Sequence, residues 1–98
     1  MQEGKGLVLL FGATGNSGFH IALKLLKEEY PVRIFCRSEQ KANVLFGDKA
    51  KTFEKIVTGN LTNDEDLEKA FTPSDQHGEV KNVISALGSP PFVSEAEV

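Results

Sequence analysis

The chain is 98 residues long, with 40% apolar and 26% charged residues, the balance of one small globular domain and not of a disordered segment. Eleven basic against 14 acidic residues leave a net charge of −3, which provides no basic field for nucleic acid or an anionic membrane surface. The single cysteine, Cys36, excludes an internal disulfide framework and a multi-cysteine zinc site; with no apolar run long enough for a signal peptide or a membrane span, it implies a reducing, cytoplasmic setting.

Met1 to Gly6 is a polar leader. Leu7 to Phe11 is a continuous apolar run stopped by Gly12, short enough to predict a strand buried on both faces. From Asn16 to Tyr30 the period changes to that of a helix: His20, Lys24, Lys27 and Glu28 make one stripe, Phe19, Ala22, Leu23, Leu26 and Tyr30 another, with Pro31 as the stop. Val32 to Cys36 is the second predicted strand. Ser38 is placed to cap a short helix over Glu39 to Phe46, closed by Gly47. Phe53 to Val57 is the third predicted strand. Asn63 caps the next helix, whose first turn carries Asp64, Glu65 and Asp66 at the positive end of the dipole; Leu67, Ala70 and Phe71 form its apolar face. After a polar loop from Pro73 to Gly78, Val80 to Ala86 is the fourth predicted strand. This alternation predicts an α/β fold, a doubly wound parallel sheet with its first four strands in the order 3-2-1-4. Ser94 and Glu97 make a capping box just before the chain ends at Val98, the signature of a helix about to begin, so the domain is expected to continue beyond this chain and to leave the fourth strand as an edge open to self-association.

Gly12-Ala13-Thr14-Gly15-Asn16-Ser17-Gly18 joins the first strand to the first helix. A phosphate at a helix N-terminus is held by free backbone N–H groups and the positive dipole end. Glycine at the strand end permits the turn, the middle glycine permits close approach, and the last lets helix and sheet pack. Thr14, Asn16 and Ser17 add hydroxyl and amide donors. About 20 residues further on, where NAD-binding domains place a carboxylate for the ribose hydroxyls, this chain has Arg37 followed by Ser38. A guanidinium there attracts a 2′-phosphate, and Lys41 lies one helical turn beyond. The motif therefore predicts a dinucleotide cofactor, NADP over NAD.

Together these residues resemble the start of an atypical or extended short-chain dehydrogenase/reductase, particularly the NmrA-like NAD(P)-binding group, from about Gly6 to the end of the chain. Gly12, Gly15 and Gly18 match that group's G-x-x-G-x-x-G string, and Arg37 matches its basic residue for NADP. Where the family commonly has Gly-Asp-Leu after the third strand, this chain has Gly59-Asn60-Leu61-Thr62, so the resemblance implies an adenine contact from Asn60 and Leu61 in place of an acidic residue. It also implies a small-residue loop, Ser85-Ala86-Leu87-Gly88, on the nicotinamide side. Semialdehyde and acyl-phosphate reductases share Gly-Ala-Thr-Gly, but the segments 59–62 and 83–86 favour the short-chain group.

The remaining polar residues have plainer readings. His20 lies on the solvated stripe and His77 in a loop, neither with a metal or triad partner in sequence. Cys36 reads as a small core filler. Four positions after Tyr30 stands Ile34, so no Tyr-x-x-x-Lys acid–base pair is present, and catalytic groups are expected outside this chain. The resemblance leaves two functions open: the cofactor domain of an NADPH-dependent reductase acting on a small carbonyl, flavin or enone-like substrate, or an NADP sensor whose occupancy changes a protein-partner interface.

Overall fold

The computed structural model describes residues 6–86. Four parallel strands, β1 (Leu7–Phe11), β2 (Val32–Cys36), β3 (Lys55–Thr58) and β4 (Val80–Ser85), lie in the order β3-β2-β1-β4. They alternate with three helices, α1 (Asn16–Lys27), α2 (Glu39–Phe46) and α3 (Asp64–Ala70). This is the expected Rossmann-type α/β arrangement. All five side chains of β1 and of β2 are buried, whereas β3 has one buried residue and β4 none. Each fully buried Leu, Ile or Val stabilises by about 1.5–3 kcal/mol relative to exposure, so the two central strands anchor the sheet.

Residue parity divides the core between the two faces of the sheet. Leu10 and Ile34 point to the side packed by Ala22 of α1 and Ala42 and Phe46 of α2. Leu9, Phe11, Phe35 and Val57 point to the opposite side, where Ala70 of α3 covers them. Ser38 and Asn63 cap α2 and α3 as predicted: Ser38 Oγ accepts the Lys41 N–H and Asn63 Oδ1 accepts the Asp66 N–H, both at 3.1 Å. Gly47 ends α2 with φ 58°, a backbone that favours glycine.

Several boundaries differ from the sequence reading, and β3 and β4 end at Thr58 and Ser85 instead of Val57 and Ala86. Helix α1 ends at Lys27, not Tyr30: Glu29 turns left-handed at φ 67°, which brings the Pro31 carbonyl to the Val8 N–H at 2.9 Å and sets the β1–β2 register. A 3₁₀ turn, Gly47–Thr52, follows α2 directly. Strand β3 starts at Lys55 and not at Phe53, because Phe53 is drawn into the core edge-on to Phe46, with ring centroids 4.9 Å apart. Phe71 falls just past α3 and is 46% exposed. Residues Leu87, Gly88, Ser94 and Glu97 lie outside the described residues.

Among the described residues, Arg33 is the one charged residue whose side chain is fully buried, at 0% exposure. On the same face as Phe35, it donates from Nε and Nη2 to the two oxygens of Glu54 at 2.7 and 2.9 Å, and from Nη1 to the carbonyls of Ala70 and Thr72. It thereby closes the C-terminal end of α3, whose last carbonyls have no partner within the helix. The Arg33 hydrogen bonds hold the Glu54 carboxyl below its ordinary value of 4.5. A lowered carboxylate pKa contributes stability that is complete above the unfolded value and is lost as pH falls through the folded one. Thermal melts from about pH 7 to about pH 3 should therefore show a steeper loss for the parent than for Glu54→Gln, which lacks that titration; parallel curves would contradict the coupling.

Candidate functional site

At the carboxyl ends of β1, β2 and β3 the chain encloses a cleft of about 330 Å³. Its walls come from three successive strand exits: Phe11, Gly12 and Thr14; Phe35, Cys36, Arg37, Ser38 and Lys41; Gly59 and Leu61. In an open parallel sheet this carboxyl edge, beside the switch point between β1 and β4, is where ligands bind. A larger, more open hollow of about 1070 Å³ lies at the amino-terminal ends of the strands, between Leu26, Tyr30, Phe53 and His77. It contains none of the glycine-loop residues.

The three loop glycines do different physical work. Gly12 leaves β1 with φ 83°, and its carbonyl accepts the Gly15 N–H at 3.1 Å, closing the turn. Gly18 is buried against that turn: a Cβ there would overlap the Gly12 carbonyl oxygen and lie 2.6 Å from its carbon and 2.9 Å from Ala13 Cα. Gly15 is exposed, and a Cβ on it would meet only the Gly12 oxygen, at 3.6 Å. The space in front of Gly15 is thus open to a ligand, whereas that at Gly18 is filled by the fold.

Gly15 is also the N-cap of α1, and it supplies no side-chain cap; the first turn of α1 contains no acidic residue. Helices α2 and α3 both have a side-chain cap and acidic residues in that turn. The start of α1 therefore combines free N–H groups, the positive dipole end and a bare glycine approach, which together suit a phosphate.

The second strand exit supplies the charge. Arg37 and Lys41 are exposed and form no ion pair among the described residues, and no carboxylate lines the cleft. The Ser38 hydroxyl oxygen accepts from Lys41, leaving its O–H to donate outward. Cys36 is 7% exposed and its thiol donates to the Ser38 carbonyl at 3.4 Å. Burial pushes that thiol up from 9.0, against the lowering effect of the hydrogen bond, so it stays protonated and contributes shape, not charge.

The structure thus gathers Gly12, Thr14, Arg37, Ser38 and Leu61 around one cleft. Asn16 and Ser17 are exposed on the first turn of α1, beside Gly15. Asn60 is exposed between the two lining residues Gly59 and Leu61, and its Oδ1 accepts from both the N–H and the hydroxyl of Thr62 at 2.9 Å. Ala86, just past β4, donates its N–H to the Phe11 carbonyl at 2.9 Å, on the β1 side of the crevice. Leu87 and Gly88 lie outside the described residues. Sequence reasoning did not foresee Phe11 and Phe35, whose rings stand 5.4 Å apart and wall the cleft; their position as the last residues of β1 and β2 on the α3 face of the sheet was the available signal. Among the described residues, no three metal-ligating side chains gather and no helix is long and apolar enough to cross a membrane.

Comparison with known proteins agrees with this geometry. The family model described as NAD(P)H-binding matches residues 12–96. No curated protein matches the chain. Among solved structures, 3-hydroxyacyl-CoA dehydrogenase type-2 from Mycobacterium avium superposes with a TM-score of 0.71 at 19% identity, over 87% of this chain and 33% of that one. A variant of actinorhodin polyketide ketoreductase, solved with NADPH, superposes with a TM-score of 0.73 at 22% identity, over 91% and 35%. Pen from Bacillus thuringiensis gives 0.69 at 26% identity, over 92% and 27%. The chain spans about a third of the length of these structures.

Proposed function

The chain belongs to the NAD(P)H-binding family, and on that premise we propose that it is the N-terminal part of a Rossmann domain that takes NADP(H) in preference to NAD(H). The larger protein is read as a cytoplasmic, NmrA-like, NADPH-dependent reductase acting on a small carbonyl, flavin or enone-like substrate, with its catalytic groups outside this chain. Bound NADPH would supply the hydride; this chain binds and orients the cofactor. The start of α1 receives the pyrophosphate, with Thr14, Asn16 and Ser17 as added donors. The cleft takes the adenosine end, with Leu61 and Asn60 toward the adenine and Arg37, Ser38 and Lys41 toward the 2′-phosphate. Among the described residues β4 is an edge strand, and its outer side is read as the place where a further strand or a second copy of the chain pairs.

The observation that supports the NADP preference is a cleft with two cations that form no ion pair among the described residues and no carboxylate in its walls. An arginine paired to a phosphate through charge-assisted hydrogen bonds favours NADP by roughly ten- to a hundredfold. Arg37→Asp removes that pairing and adds repulsion, so NADP affinity should fall strongly while NAD binding stays equal or improves. Paired titrations of NADP and NAD on parent and variant at fixed salt measure the ratio. A parent that prefers NAD, or a ratio untouched by Arg37→Asp, would leave Arg37 as a solvated surface charge.

A further inference from the structure

The loop between β3 and α3 is shaped by a carboxylate that does not itself line the cleft. Asp66, in the first turn of α3, accepts the Asn60 N–H on Oδ2 at 2.9 Å. Its own N–H is held by Asn63 Oδ1 at 3.1 Å, which fixes the carboxylate relative to the helix start. Gly59 leaves room for it: a Cβ at Gly59 would lie 2.5 Å from Asp66 Cγ and 2.7 Å from Oδ2. Among the described residues no peptide bond is cis, and in a trans peptide the carbonyl lies opposite the following N–H. Aiming the Asn60 N–H at Asp66 therefore turns the Gly59 carbonyl away from α3. Gly59 and Leu61, on either side of this latched residue, are the cleft's whole contribution from the third strand exit.

We infer that Asp66 is a positioning residue for the adenosine end of the dinucleotide, acting through the Asn60 N–H to hold Gly59 and Leu61 in the arrangement that walls the cleft. The inference rests on the placement of the adenosine proposed above. A carboxylate acceptor is the stronger kind of hydrogen-bond partner. Without it the loop populates other arrangements, and affinity falls in proportion to the fraction that remains competent.

The test titrates ADP, the portion common to both dinucleotides, into the full chain well below its melting temperature. Asp66→Ala should lose about tenfold in ADP affinity, or about 1.4 kcal/mol. Asp66→Asn keeps an acceptor oxygen and should stay within about threefold of the parent. The Asn60 amide proton should move upfield in Asp66→Ala and hold its place in Asp66→Asn, a signature that a general loss of stability does not produce. Gly59→Ala, whose methyl group displaces the Asp66 side chain, should repeat the Asp66→Ala loss, and it decides the matter if Asp66→Ala does not fold. Folded Asp66→Ala or Gly59→Ala binding ADP like the parent overturns the inference, as does Asp66→Asn losing as much as Asp66→Ala. A parent that binds no ADP overturns the adenosine placement and this inference with it, and the unmoved Asn60 resonance during the titration identifies that failure.

Discussion

Arg33→Met should cost about 3–5 kcal/mol of folding stability, the usual consequence of breaking a buried ion pair from one side. Its guanidinium is fully buried, and the paired Glu54 side chain is only 10% exposed. Methionine fills much of the volume but strands the Glu54 carboxylate and leaves the Ala70 and Thr72 carbonyls without their donor. Against a total stability of about 5–15 kcal/mol for a domain, such a loss removes a large share of the folding free energy. Glu54→Leu added to Arg33→Met should recover part of the loss, since an apolar pair replaces the buried charges, but not all, because the two carbonyls stay unpaired. Denaturant melts of the parent and the two variants measure this. A single-variant cost under about 1 kcal/mol would place Arg33 among surface-type ion pairs.

The second large effect separates two glycines three residues apart. Gly18→Ala drives a methyl group into the Gly12 carbonyl, and since backbone cannot swing aside as a side chain can, the cost should reach about 3 kcal/mol, the upper end of ordinary overpacking. Gly15→Val should fold normally: its φ of −89° and ψ of 176° suit a β-branched residue, and a Cβ there meets only the Gly12 oxygen, at an ordinary 3.6 Å. Instead it places a branched side chain where a phosphate must reach the backbone, and dinucleotide affinity should fall at least about tenfold. Melts and calorimetric titrations of both variants give the contrast. Unchanged binding by folded Gly15→Val would remove the phosphate from the start of α1.

The sequence made legible whatever depends on neighbours along the chain. Leu7 to Phe11 reads as a buried strand because five apolar residues end at a glycine, and Ser38 and Asn63 read as caps because the capping bond spans only three positions. The glycine loop is equally local. What escaped prediction depends on partners far away. The early end of α1 serves the Pro31–Val8 bond, Phe53 leaves its strand for Phe46, and Arg33 is buried by Glu54 across 21 positions. In the site, the glycines and Arg37 could be read directly. The Phe11 and Phe35 walls and the Asp66 latch appear only when three strand exits are brought together.

The division of the core between two faces carries a rule of handedness. The crossovers β1–α1–β2 and β2–α2–β3 step one way across the sheet and share one face; β3–α3–β4 steps back past them and lies on the other. Parallel crossovers are right-handed in nearly all sheets, so the direction of the step determines the side. Any strand joined beyond β4 by such a crossover steps outward in the same sense as β3 to β4. Its helix must then descend on the α3 side. On that side Val83, paired with Leu9, stands 51% exposed, and Phe71 presents its ring beside Phe11. Among the described residues, these exposed apolar side chains lie on the face that such a right-handed crossover would cover.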